Sequence, residues 1–599
     1  MADDPLPNLI GTDDRTDDGI YDAVIIGAGV SGLYQLHRFL QLGFSTLAIE
    51  AGTDVGGTWY WNRYPGARFD SESYSYGYSW SDDLLEDWDW QERFSAQPEN
   101  LSYLRHVADR FDLRRHIRFG TFVTGARYDA DTNRWQVTAR PATGDGVSGD
   151  NKTSDDKGNG DDGYLDEIEA RYLVTALGPL SVPVYPAVHG RDRFAGRSWH
   201  TSHWPRNDDG STDTDPVAGK RVAVIGTGAT AVQLIPEVAK VAGHLTIFQR
   251  TPNWCAPLHN GPIQPEEMAE IKTRYREIFD TCDGTFAGFL HVPDRRKALE
   301  CSAEEREELW ERLWGEPGFG IWMANFRDVL VNTEANRLLS DWVAGKIRER
   351  LDDPAIAERL IPTNHGFGTR RVPMETNYYE VYNQPNVELV SLGETPIIEI
   401  TESGIRTAVE VAAAEGAGGP DDGYGDAEHR DHEFDVIIYA TGFDAVLGGF
   451  NRLDIRGVDG VALADVWADG PRTYLGIQIS GFPNLFTLVG PNNASTFCNM
   501  PRCIEQNVDW VTEFIEFCER EGVTRAEPTE EAMEAWGEHV VTSGERMLFT
   551  KVNSWFTGIN SNLVGRDQRQ FLLYAAGLPT YREWADEVAA NGYEGFVFS

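Results

Sequence analysis

The chain has 599 residues and a formal net charge of −42, with 53 basic residues of which eight are lysine, and a sequence pI near 4.6. That length calls for several domains, and so dominant a negative charge excludes nucleic acid as a partner, because no extended face can neutralise a phosphate backbone. No apolar run reaches the ~18 residues that suggest a membrane span, Met1-Ala2-Asp3-Asp4 lacks the basic and apolar parts of a secretion signal, and six cysteines without metal-ligand spacing fit a reducing cytoplasm and no metal centre.

In chain order, residues 1–20 are Asp-rich and patternless, as expected of a solvated tail. The strand Asp22–Ile26 then leads into Gly27-Ala28-Gly29-Val30-Ser31-Gly32, an amphipathic helix from Leu33 to Leu42, and a second strand Ser45–Ile49 that ends at Glu50. In that context Gly27 permits a tight turn, Gly29 lets the backbone approach a pyrophosphate, and Gly32 packs the helix on the strand. The carboxylate of Glu50 is placed to bond a ribose hydroxyl.

Two stretches, Pro141 to Gly163 and Ala412 to Asp431, are rich in Gly and Asp between strand-like segments and are expected to be long hairpin tips. The apolar strands at Leu173–Val174 and Val436–Ile438 end in small-residue turns, as where a chain crosses between two nucleotide-binding domains.

A second glycine turn follows the strand Val222–Ile225. It runs Gly226-Thr227-Gly228-Ala229-Thr230-Ala231, with alanine as the accepted third member, and its acidic terminus is replaced by Gln249-Arg250-Thr251. A guanidinium there accommodates a 2′-phosphate, so this turn is expected to hold NADP(H). Pro265 to Glu358 is charged and periodic with almost no strand signal, which predicts an inserted helical subdomain. Cys498 and Cys503 have the spacing of a redox pair but lie near the C-terminus, and two buried structural thiols are expected.

Between the two units, Phe194, Gly196, His200, Trp204 and Pro205 form the pattern Phe-x-Gly-x-x-x-His-x-x-x-Trp-Pro. This resembles the fingerprint of the type I Baeyer–Villiger monooxygenases, enzymes that use a flavin. On the residues alone, His200 reads equally well as a structural imidazole at a domain junction. The resemblance extends through Gly56-Gly57-Thr58-Trp59 to Asp70, Phe248 to Pro252, Phe367 to Arg371, Asn377 to Glu380, Ala440 to Ala445, Ser554 to Gly558 and Gly592 to Phe596. It is greatest with the phenylacetone and cyclopentadecanone monooxygenase type.

The resemblance implies an α/β fold of two Rossmann-like dinucleotide-binding domains, for FAD and NADP, with the helical subdomain inserted in the NADP domain. The FAD domain is then expected at 21–180 and 435–599, the NADP domain at 181–264 and 359–434, and the helical subdomain at 265–358. It further implies NADPH- and O₂-dependent conversion of a cyclic, aryl or long-chain ketone to an ester or lactone through a C4a-peroxyflavin. By residue-by-residue carry-over, Arg371 is the cation that stabilises developing negative oxygen and Asp70 orients it. Gly57, Thr58 and Trp59 belong to the FAD segment, Arg370 helps bind the 2′-phosphate, and Trp555 sits on a mobile loop around 553–566 that covers the nicotinamide cofactor.

Two departures stand out. The family's Gly-Ala-Asn-x-x-Gly-Lys becomes Gly558-Ile559-Asn560-Ser561-Asn562-Leu563-Val564-Gly565-Arg566, and the segment Asn492 to Met500 differs in composition, with Phe497 and Met500 the expected substrate contacts. The alternatives are oxygenation of nitrogen or sulfur, which Trp204 and Arg371 weigh against, and a flavin protein that does not oxygenate. A soluble monomer or weak oligomer in the cytoplasm is expected. The acidic, lysine-poor composition resembles that of proteins from salt-loving organisms, where salt screens self-repulsion.

Overall fold

A computed structural model describes residues 19–142, 166–409, 428–494, 498–563 and 565–599. The tail up to residue 18, most of both expected hairpin tips, Phe497 and Val564 lie outside the described residues. No helix among the described residues is long and apolar enough to cross a membrane.

Two sheets organise the chain. In the first, of eight strands, Tyr21–Ile26 lies parallel between Thr46–Ile49 and Asp166–Thr175. Register places Ile25 beside Ala48 on one side and Val174 on the other. Thr121–Asp129 and Arg134–Pro141 extend this sheet antiparallel, and Asp454–Arg456 and Leu485–Thr487 join it from late in the chain. The second sheet is parallel throughout, in the order Val387–Ser391, His244–Gln249, Arg221–Ile225, Val436–Tyr439, Arg197–His200. Parallel strands covered on both faces read as continuous apolar runs, and Val222–Ile225 and Val436–Tyr439 are buried along their whole length.

Three expectations are corrected here. Val436–Tyr439 is a central strand of the second sheet, so the return to the first unit begins after Tyr439 and not at 435. A fully buried four-residue run is most stable between two partners, and only pairing could show which sheet supplied them. Next, the helices over 265–360 do not share one core. Met268, Tyr275, Ile278 and Phe279 pack with the first unit, whereas Leu309, Trp310, Leu339, Val343 and Ile347 pack with the second. Finally, Cys498 and Cys503 are not free thiols but a disulfide, their Cα atoms 6.8 Å apart across the first turn of a helix.

Some helices start at side-chain caps. Ser302 and Glu305 form a capping box, and Asn332 accepts from the N–H groups of Glu334 and Ala335. The helices after the two glycine turns, α1 (Val30–Gln41) and α2 (Ala229–Ala239), start at Gly29 and Gly228 with no side-chain cap and no acidic residue in the first turn.

Candidate functional site

An uncapped helix start leaves N–H donors and the positive end of the dipole available to an anion. Both turns are built alike. Gly27 and Gly226 have φ of 108° and 109°, and a Cβ on either would fall 2.5 Å from the carbonyl oxygen of Ala176 or 2.4 Å from that of Ala440. The small residues after the two crossing strands thus press directly on the two glycine turns.

The first turn fits an FAD dinucleotide on two observations. Gly29 and Gly57 face each other so closely that a Cβ on Gly57 would lie 2.7 Å from the Gly29 Cα, leaving a backbone cradle at the start of α1. Glu50 closes it. Its Oε2 accepts from Ala28 N at 2.8 Å and its Oε1 from Gly52 N at 2.7 Å, with Trp61 as a third donor. A carboxylate has about four acceptor sites, so one remains for a ribose hydroxyl. Burial pushes the Glu50 carboxyl above its ordinary range, against the pull of those donors. Thr58 and Trp59 continue the cradle in the short helix Thr58–Trp61, where Trp59 is buried with its Nε1 donating to the Tyr76 hydroxyl at 3.2 Å.

The second turn fits NADP. Thr227 is buried and donates to the Thr251 carbonyl at 3.0 Å, joining the turn to the end of its neighbouring strand. Beyond that strand, Arg250 and Arg370 stand near enough that the charge of Arg250 lowers the pKa of Arg370, after the larger effect of burial. Neither has a carboxylate partner among the described residues, and the buried Nε of Arg370 has no hydrogen-bond acceptor. Two guanidiniums that repel each other and lack a counterion are suited to a doubly charged phosphate. Arg250 Nη1 donates to Ser561 Oγ at 2.5 Å and Asn562 Oδ1 at 3.2 Å, so the C-terminal loop reaches this corner. The same loop touches the second crossing, through Asn560 to the Phe443 carbonyl at 3.4 Å and Arg566 to Asp444 at 3.2 Å. Trp555 itself packs edge-on against Phe556, 4.5 Å between centroids.

Between the turns, Arg371 of the second unit meets Asp70 of the first, Nη2 to Oδ2 at 2.9 Å across 301 positions of sequence. The Asp70 carboxylate is buried, its partner about one-third exposed. Burial pushes the Asp70 carboxyl up, while Arg371, Met374 N, Arg68 and Gln233 pull it down. A fixed cation with one open side and a buried counterion behind it can stabilise negative charge that forms on a nearby oxygen.

The fingerprint residues do not line this pair. Phe194 packs against the core of the second sheet, Trp204 is buried with its Nε1 donating to the Asp213 carbonyl at 2.9 Å, and Pro205 follows it directly. His200 is buried at the end of a strand. Its Nδ1 accepts from Ser202 N at 3.2 Å, so Nε2 carries the proton and donates to the Gly442 carbonyl at 3.0 Å. Burial, with His203 nearby, pushes its pKa down to about 3, so this imidazole is neutral and ties the end of its own strand to the turn after the neighbouring strand Val436–Tyr439.

Of the expected substrate contacts, Met500 begins the helix α3 (Met500–Glu521) and packs at the edge of the first unit's core, while Phe497 lies outside the described residues. The sequence reading missed Gln233, which bonds Asp70 from α2. The available signal was a lone amide in a helix whose flanking Val232, Leu234 and Ile235 are apolar.

Residues 22–283 match the family described as flavin-binding monooxygenase-like. The chain is 45% identical to a 2-oxo-Δ(3)-4,5,5-trimethylcyclopentenylacetyl-CoA monooxygenase of Pseudomonas putida, over 96% of this chain and 98% of that one. It is 37% identical to a Baeyer–Villiger monooxygenase of Pseudooceanicola batsensis, over 96% of each. It is also 38% identical to a phenazine N-monooxygenase of Lysobacter antibioticus, over 96% of each. A crystal structure of OTEMO in complex with FAD and NADP, 45% identical, superposes with a TM-score of 0.86 over 97% of this chain and 99% of its own.

Proposed function

The chain belongs to the flavin-dependent Baeyer–Villiger monooxygenases, and from that premise we propose how its residues share the work of converting a ketone, O₂, NADPH and a proton to an ester or lactone, NADP⁺ and water. When bound, FAD supplies the oxygen chemistry and NADPH the hydride. The first glycine turn, the Gly29–Gly57 cradle and Glu50 hold FAD, with Thr58, Trp59 and Gly32 beside them. The second turn, through Gly226, Thr227, Gly228 and Thr230, together with Arg250, Thr251 and Arg370, holds NADP(H).

Arg371 offsets negative charge on the reacting oxygen, and Asp70 aims its guanidinium. The observation that carries this assignment is their 2.9 Å contact between the two nucleotide units, where a group from each can act on the same site. Trp555 and its loop cover the nicotinamide end and keep water out. The preferred ketones are cyclic, aryl or long-chain, with Phe497 and Met500 as the residues that select among them.

The test is a panel of ketones, amines and sulfides incubated with holoenzyme, NADPH and O₂, with products read by mass. Ketone plus one oxygen is expected. N-oxide or sulfoxide without any ester would overturn the reading, and the similarity to a phenazine N-monooxygenase is the observation that keeps this second activity in the panel.

A further inference from the structure

We propose that Gln233 is a positioning residue that ties occupancy of the second glycine turn to the Asp70–Arg371 pair. Gln233 lies one turn into α2, the helix that starts at that turn. Its side chain points away from its own unit and spans three residues of the other. Oε1 accepts from the Tyr64 hydroxyl at 2.8 Å and from Arg68 N at 3.4 Å. Nε2 donates to the Arg68 carbonyl at 2.9 Å and to Asp70 Oδ1 at 3.3 Å. The Tyr64 hydroxyl also bonds the side chain of Thr230, in the first turn of α2.

The backbones are in contact as well, since a Cβ on Gly66 would lie 2.4 Å from the Gln233 carbonyl oxygen. The start of α2 therefore cannot shift without moving the segment that carries Asp70. A continuous set of bonds runs from Thr230 through Tyr64 and Gln233 to Asp70, and from its other oxygen to Arg371.

The chemistry gives this contact a direction. Arg371 needs Asp70 ionised, and a buried carboxylate stays ionised only while donors and cations hold it. Arg371 and Arg68 are the cations that face it, Tyr64 and Cys255 are the other titratable neighbours, and Met374 N and Gln233 are the neutral donors. Of these, Gln233 alone is part of the NADP-turn helix. Withdrawing its N–H favours the protonated acid and loosens the guanidinium.

This inference rests on reading Asp70 and Arg371 as the reacting pair. The test uses holoenzyme carrying Gln233→Leu, Gln233→Glu or Tyr64→Phe. Three quantities are measured: the Kd for NADP⁺, the change that saturating NADP⁺ makes in the oxidised flavin spectrum, and the ratio of ester formed to NADPH consumed across pH. In Gln233→Leu the spectral change should fall below about half and the ratio several-fold while Kd moves less than about threefold. The acid limb of the ratio should rise by about one pH unit, as expected for one lost hydrogen bond to a buried charge.

Gln233→Glu places a like charge beside Asp70 and should move the limb further. Tyr64→Phe, which leaves the donor to Asp70 in place, should move it less and keeps the test open if Gln233→Leu does not fold. An unmoved acid limb in every variant overturns the proposal, as does a fall in the ratio that only tracks weakened NADP⁺ binding. Unaltered Gln233 variants beside an inactive Arg371→Ala would sink the coupling alone, whereas a fully active Arg371→Ala would sink the reading of the pair.

Discussion

The two glycine turns share one geometry and differ at the end of the following strand. At the first, Glu50 is buried and already held by Ala28 N and Gly52 N, a rigid acceptor suited to the neutral hydroxyls of a cofactor that stays bound. At the second, Arg250 and Arg370 stand close together with no carboxylate partner among the described residues, and a loop from the far end of the chain rests on Arg250. A pair of like charges is relieved when an anion enters, so this end is suited to a cofactor that comes and goes. The same βαβ scaffold thus ends in an acceptor already held in place in one unit and in two neighbouring like charges in the other.

The largest expected effect is at the contact between the two units. Arg371→Ala should lower ester formation by about a hundredfold or more, the usual loss for one such donor. NADPH oxidation should continue, with hydrogen peroxide as the product, and an unchanged ester yield would break the assignment. Next comes the open end. Arg250→Ala should weaken NADPH by about 10- to 100-fold, as for charge-assisted hydrogen bonds, and leave NADH nearly unaffected. Equal losses for both cofactors would show that the guanidinium does not read the 2′-phosphate.

The closed end should be sensitive to acid. Because burial raises the folded-state pKa of Glu50, lowering the pH protonates it before an ordinary glutamate would titrate. FAD release on dialysis should therefore begin above that range, and Glu50→Gln should flatten the pH dependence while retaining less FAD at neutral pH. The smallest effect is at His200. Its folded pKa is depressed, so the stability it contributes is present above about 6.5 and is lost as the pH falls toward about 3. Thermal unfolding of His200→Gln against the parent should show a shallower decline through that window, and identical slopes would mean the imidazole is not held neutral.

The two nucleotide-binding units were legible in local pattern, whereas the reaction was reached through resemblance. The strand, turn and helix around Gly27 and Gly226, and the opposite charges at Glu50 and Arg250, are properties of short segments with fixed dihedral and spacing needs. The pairing of Asp70 with Arg371 was reached only through resemblance, since no local rule connects residues so far apart. Gln233 went unnoticed because an amide has no sequence signature for the partner it will meet. The placement of Val436–Tyr439 in the second sheet, and the division of the helical stretch between two cores, escaped for the same reason.

Local sequence therefore determined the two turns and their opposite terminal charges, because backbone freedom at glycine and the sign of a terminal side chain act within one βαβ unit. Where the two units meet was left to the fold. Burial, hydrogen-bond partners and the pKa of Asp70 depend on which distant groups come within about 4 Å. That proximity arises only when the two units pack together, with Gln233 and Arg371 of one reaching Asp70 of the other.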